Sequence, residues 1–163
     1  MKIKVYHGGT EAISSPRADA GRRNLDFGQG FYITDLRQQA SDWAKHVSDR
    51  RQIPAVLNVY TLDRDAILAN YRCKVFDAYD EDWLDFIVES RLGNNPWIDF
   101  DYVEGGVAND RIIDTINLYM ADLMTRDKAL ERLSEHRPNN QMCLINQEII
   151  EKYLTYNGTE EVH

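Results

Sequence analysis

The first stretch with a readable period is Lys2 to Thr10, KIKVYHGGT. Apolar and polar positions alternate there, as in a half-buried strand, and the pattern stops at His7 before two glycines. A second stretch, Asp26 to Thr34 (DFGQGFYIT), sets Gly28 and Gly30 beside the aromatic pair Phe31 and Tyr32. Gly28 to Thr34 is expected to form a short strand running into a helix. Glycines at these points let another backbone, or a ligand, come close, so the expectation is that they do more than pack.

Between the two stretches, Glu11 to Leu25 is polar, holds Pro16 and Gly21, and reads as a surface loop: either a mobile connector or a flap over a pocket. Asp35 is placed to cap a helix in which Leu36, Ala40, Trp43, Ala44 and Val47 recur at helical spacing to about Arg50. Pro54 opens a strand over AVLNVYTL, followed by a turn at Asp63 and Asp65 and a further strand around Tyr71 to Phe76. Asp80 to Leu92 has the spacing of an amphipathic helix, and Gly93, Asn94, Asn95 and Pro96 end it. A strand is expected over Asp101 to Val107, then helices over Asp110 to Met124 and Arg126 to Glu135, the second capped by Thr125. Gln141 to Ile145 reads as the last strand, Glu148 to Leu154 as a short helix, and the tail from Asn157 as frayed. Strands and helices at irregular spacing, without repeats or linkers, predict one α+β domain over residues 1–163.

The net charge of −8 argues against broad binding to nucleic-acid phosphates, while leaving room for a local basic pocket such as Arg17, Arg22 and Arg23. Cys73 and Cys143 lie in apolar runs without metal-ligand spacing, which reads as buried, reduced thiols. No window is apolar enough to span a membrane and no signal region opens the chain. The expectation is a soluble protein, cytoplasmic where it is made or delivered into the cytoplasm of a target cell, with no metal.

The motif H-G-[GST], a loop, and then F-G-x-G-[IF]-Y resembles the nicotinamide pocket of ADP-ribosyltransferases of the poly(ADP-ribose) polymerase type. More narrowly, the chain resembles a bacterial domain-of-unknown-function family, numbered 3990, grouped with that superfamily. The segments LRQQASDWAKH, FDYVEGGVANDRIIDTINLYM and NNQMCLINQEII extend the likeness over nearly the whole chain. The resemblance implies the ADP-ribosyltransferase fold: two small packed sheets holding an NAD cleft, with helices around them. It also implies transfer of ADP-ribose from NAD to a macromolecular acceptor, and by analogy a toxin or effector role with a neutralising partner protein.

Residue by residue, the resemblance gives His7 to the ribose hydroxyls, the Gly8 backbone to the nicotinamide amide, and Tyr32 to the nicotinamide ring. Trp43 falls where a second stacking aromatic is expected, although a core tryptophan explains its spacing equally well. Gly9, Thr10, Arg23, Phe27, Gly28, Gly30, Phe31 and Asp110 complete the expected donor site, with Arg22 or Arg23 near the pyrophosphate. For Asp110 the stronger reading is a helix cap, in which Asn109 or Asp110 meets the free N–H groups of the helix that begins there, and Asp26 reads as a residue that holds the loop. The late strand departs from the polymerase pattern: Gln141 stands where a glutamate is expected. A glutamine can hydrogen-bond a hydroxyl but cannot act as a carboxylate base. Chain elongation is therefore disfavoured, and single transfer or hydrolysis of NAD survives better. Glu148 is a lesser acidic candidate. The rival reading is a catalytically reduced module that binds NAD or ADP-ribose; an ordinary α+β interaction domain would require both glycine motifs to be coincidence.

Overall fold

The computed structural model describes residues 1–162, which form two small sheets and six helices. The first sheet has the order β1 (Ile3–Gly9), β3 (Val56–Leu62), β7 (Leu154–Glu160), all antiparallel. The second has the order β2 (Phe31–Ile33), β6 (Asn140–Leu144), β5 (Tyr102–Gly106), β4 (Cys73–Val75), with only β4 and β5 parallel. The helices are α1 (Arg37–Arg51), α2 (Arg64–Asn70), α3 (Glu81–Arg91), α4 (Asp110–Met120), α5 (Arg126–Ser134) and α6 (Gln147–Tyr153).

Strand alternation sorts the apolar side chains into layers. Val5, Tyr60 and Leu62 of the first sheet meet Phe31, Ile33, Tyr102, Met142 and Leu144 of the second in one core between the sheets. The other face of the second sheet, with Val103 and Cys143, is covered by Phe27, Trp83, Ile87, Ile112, Ile116 and Leu133. Tyr6, Leu57 and Val59 on the outer face of the first sheet pack against Ala40 of α1. One carboxylate lies inside this arrangement. Glu104 on β5 is 4% exposed and accepts two hydrogen bonds of 2.7 Å from the Arg64 guanidinium and one of 2.5 Å from the Tyr102 hydroxyl. With its lone pairs met, it ties the end of β3 to the second sheet.

Most expected elements form, within a residue or two at the ends, and the differences have local causes. The expected turn at Asp63 and Asp65 is the start of α2, where Asp63 caps Ala66 N–H; only Ile67 of that helix is buried, so no period shows. Asp35 does not cap α1; the Thr34 hydroxyl takes the Leu36 N–H at 3.1 Å and donates to the Asn140 carbonyl at 2.9 Å. α4 stops at Met120, because Asp122 turns the chain with φ 59°. The tail is not frayed: β7 pairs with β3, with a register shift between Asn58 and Tyr60. The loop after β1 is not a free connector, since Asn58 holds the Glu11 carbonyl and the Ile13 N–H, and Gln147 holds the Pro16 carbonyl and the Ala18 N–H.

Gly8 shows what sets the distance between β1 and α1. A Cβ there would lie 2.0 Å from the Ala40 carbonyl oxygen, a backbone atom that cannot swing away. Gly8 is therefore required by helix packing, and a branched residue would not leave the fold intact. Gly8→Ala is expected to lower stability by about 1–3 kcal/mol, as overpacking does, read as a fall in the denaturant midpoint. An unchanged midpoint would contradict this packing.

Candidate functional site

The two sheets touch along one edge, at a single bridge between β1 and the end of β2: Tyr6 N–H donates to the Thr34 carbonyl at 2.8 Å and Thr34 N–H to the Tyr6 carbonyl at 3.0 Å. Along a strand, the N–H and C=O of alternate residues point to the same side. The Gly8 amide groups therefore point toward β2, as those of Tyr6 do, and those of Tyr32 point back. The ladder does not continue there. Instead the His7 ring reaches into the gap, and its Nδ1 lies 2.6 Å from the Tyr32 carbonyl oxygen. A carbonyl only accepts, so Nδ1 carries the proton and Nε2 keeps a lone pair in the neutral ring. Among the described residues the Gly8 N–H and C=O have no partner across the gap.

His7 is held on its flat side as well. Phe31 stacks on it with ring centroids 4.5 Å apart and an interplanar angle of 29°. Burial lowers the His7 pKa below its ordinary value, and the bond to the Tyr32 carbonyl opposes that only in part. The ring is therefore neutral near pH 7, with Nε2 as an acceptor. Gly9 borders the same opening: the only atom near a Cβ built there is His7 Nε2, at 4.0 Å.

The second motif is organised inward, which corrects the expectation that its glycines admit a ligand. A Cβ on Gly28, whose φ is +94°, would meet the Trp97 ring at 2.0 Å; one on Gly30 would meet Cys143 Sγ at 2.5 Å and the Leu144 carbonyl at 2.7 Å. Phe27 is fully buried in the core and Phe31 is 6% exposed, so Phe27 cannot touch a ligand and Phe31 acts as the backing of His7. The Tyr32 hydroxyl donates to the Gly28 carbonyl at 2.7 Å and accepts from the Phe27 N–H at 3.0 Å, which fixes the turn before β2. Burial pushes its pKa well up, so the phenol stays neutral. Arg23 lies over the Trp97 ring, 5.2 Å from its centroid, and Arg17 pairs with Asp19.

On α1, Trp43 is 53% exposed, so it is not the core residue its spacing allowed. It stands one turn from Gln39, whose amide donates to Thr34 Oγ1 and the Asn140 carbonyl at 3.2 and 3.3 Å. That flank of the helix therefore looks toward the start of β6, where Gln141 lies. In the sheet register Gln141 sits opposite Gly105 and has the same parity as Cys143, the partner of Tyr32. Gln141 and Tyr32 are thus diagonal neighbours on one face of the second sheet, while the His7 ring lies against Phe31 on the other face. The two sets meet only at the edge where β1 and β2 part.

The remaining candidates stand elsewhere. Asp110 is exposed in the first turn of α4, whose cap is Asn109, accepting from Ile112 N–H at 3.3 Å. Asp26 pairs with Arg91 at 2.8 Å and holds the loop. Glu148 bonds the Tyr71 hydroxyl at 2.5 Å and pairs with Lys152, which rules it out as a carboxylate of this site. Thr10 accepts from the Arg51 guanidinium at 3.3 Å. Both thiols are unpaired; Cys143 is buried and Cys73 half-buried, with its pKa pushed up to about 11 by burial. Among the described residues no group of three His, Cys, Asp or Glu side chains could hold a metal ion, and no helix is long and apolar enough to cross a membrane.

One positioning residue escaped the sequence. Asn58 is fully buried and donates to the carbonyls of His7 and Glu11 at 3.3 and 2.9 Å while accepting from Ile13 at 2.8 Å. It fixes the arch through Gly8, Gly9 and Thr10 to β3. The signal was available: an asparagine inside the apolar run AVLNVYTL has to bond something.

Compared with known proteins, residues 3–156 match the model of a family described as "Protein of unknown function (DUF3990)". No curated protein matches the chain.

The half-buried His7 makes a prediction about pH. Its folded pKa lies below the unfolded value of 6.5, so the unfolded chain binds the extra proton first. Stability attached to this ring is then full above about pH 6.5 and falls as the pH drops below it. His7→Asn supplies an amide donor near the position of Nδ1 without a titrating group. Thermal melts from about pH 7.5 to 5 should show a steeper loss for the natural protein than for His7→Asn; parallel curves would contradict the burial described.

Proposed function

The chain belongs to this DUF3990 family, and we propose that it is a mono-ADP-ribosyltransferase, of ADP-ribosyltransferase fold, that uses NAD as donor and modifies a macromolecular acceptor. The observation that carries the reading is the unpaired Gly8 edge, which among the described residues forms no hydrogen bond across the gap. A carboxamide offers one N–H and one C=O in a plane, the complement of a single residue's amide pair on a strand edge. Nicotinamide is a flat ring bearing that group, and the exposed Trp43 indole on the neighbouring helix is available to stack on it. His7 Nε2, held as an acceptor, suits a ribose hydroxyl. The Tyr32 ring and the Gln141 amide lie on the opposite face of the second sheet from the His7 ring and come to this opening only at the edge where β1 and β2 part.

In the reaction, the bond between ribose C1′ and the nicotinamide nitrogen breaks, and nicotinamide leaves with the bonding pair, which neutralises its ring charge. The ribose passes through an oxocarbenium-like state. An acceptor atom then bonds C1′ with its own lone pair and gives up its proton to solvent water. Gln141 can hold a ribose hydroxyl during this step but cannot take that proton. Its cross-strand neighbour is Gly105, so no carboxylate stands beside it there. An acceptor that supplies its own nucleophile, and a single transfer in place of elongation, follow from that composition. A toxin role in a target cell's cytoplasm, checked by a neutralising partner protein, rests on analogy with this fold alone.

Gln141 also favours a second reading, a module that binds NAD or ADP-ribose without cleaving it. Incubation with labelled NAD separates the two: the enzyme releases nicotinamide and leaves label on protein or RNA, whereas the module binds NAD and releases nothing. For the enzyme, Gln141→Ala should slow release about tenfold, the worth of one hydrogen bond strengthened in the transition state, with a smaller effect on NAD binding. Gln141→Glu should match or exceed the natural rate. If both variants match it, Gln141 has no part in the reaction. If NAD does not bind at all, both readings fail.

A further inference from the structure

Helix α1 lies on β1 through a stripe of small and apolar residues, Ala40, Ala44 and Val47, all buried. Four residues after Val47 the same stripe continues with Arg51, in the last turn of the helix. The strand ends at Gly9, so the stripe outruns it and its final member is a cation in place of an apolar side chain. The Arg51 guanidinium turns back over the end of β1 and donates to the Thr10 hydroxyl at 3.3 Å. Among the described residues it pairs with no carboxylate, in a chain with a net charge of −8.

Of the other basic residues expected here, Arg17 pairs with Asp19 and Arg23 lies over Trp97, while Arg22 forms no ion pair among the described residues. Arg51 alone of these bonds the arch that begins at Gly8, at the residue after Gly9, where a Cβ would meet only His7 Nε2, at 4.0 Å, among the described residues. Resting on the reading above, we infer that Arg51 is the contact for the diphosphate of the donor. With the carboxamide on Gly8, the diphosphate lies one ribose farther along. A planar guanidinium with free N–H groups fits two neighbouring phosphate oxygens. Its bond to a neutral hydroxyl fixes its place while leaving the charge uncompensated. A cation in the last turn also complements the helix dipole, but Arg50 does that equally well and serves as the control.

The test is calorimetry of the natural protein, Arg51→Gln and Arg50→Gln with NAD, ADP-ribose and nicotinamide, each protein checked by a melting curve. Arg51→Gln should bind NAD and ADP-ribose about tenfold more weakly, with nicotinamide affinity unchanged. Arg50→Gln should bind all three as the natural protein does. Added salt should weaken NAD binding less in Arg51→Gln than in the natural protein. If the natural protein binds NAD and Arg51→Gln binds it equally tightly, the diphosphate contact is overturned while the proposed function stands. A natural protein that binds none of the three ligands overturns both.

Discussion

Two hydrogen bonds between Tyr6 and Thr34 join the sheets along their shared edge, and the rest of the site depends on where that joining stops. Had β1 and β2 continued as a ladder, the Gly8 amide would be spent on Tyr32. The strands part because the His7 ring takes the Tyr32 carbonyl in place of the backbone. A half-buried imidazole held in one tautomer and an unpaired strand edge are thus consequences of one substitution of partners. Leaving such an edge unpaired is costly in a folded chain unless something else meets it.

Several features hold this opening at a fixed width. α1 comes so close that only glycine fits at position 8, and Asn58 fastens the following arch to β3. Across the site, Tyr32 clamps the turn at Phe27 and Gly28, which in turn rests on Trp97. The buried Glu104, paired with Arg64 and Tyr102, links the two sheets on the far side of their common core. Removing one member of such a pair strands a charge, so this link resists change more than its net contribution to stability suggests. The scaffold is rigid where the proposed donor lies, which suits a site that acts by positioning.

The architecture was largely legible in the sequence. Alternation in KIKVYHGGT, the apolar run AVLNVYTL and the helical spacing from Ala40 to Val47 marked β1, β3 and α1. β7 was hidden because Thr155, Asn157 and Gly158 make its sequence polar, and its stability comes from pairing with β3, which no local pattern encodes. α2 was hidden because a helix of seven residues that buries one side chain leaves no period. The glycines were recognised as points of close approach, but what approaches was not. Gly8 meets a helix carbonyl, Gly28 an indole and Gly30 a cysteine, all distant in sequence. The open groups belong to the backbone of Gly8, which no residue type announces. His7 was read from its place at the end of a strand pattern, and it stands where β1 and β2 part; Trp43 was read from helical spacing, and it stands exposed on α1.

The central claim, that the unpaired Gly8 edge receives a carboxamide, is tested most directly by the amide resonance of Gly8. In protein labelled with nitrogen-15, titration with nicotinamide should move the Gly8 N–H downfield by more than any other glycine, as an unpartnered N–H gains a hydrogen bond. NAD should move the same resonance and, in addition, that of Gly9. A Gly8 amide that stays in place while NAD or nicotinamide binds elsewhere would contradict the account.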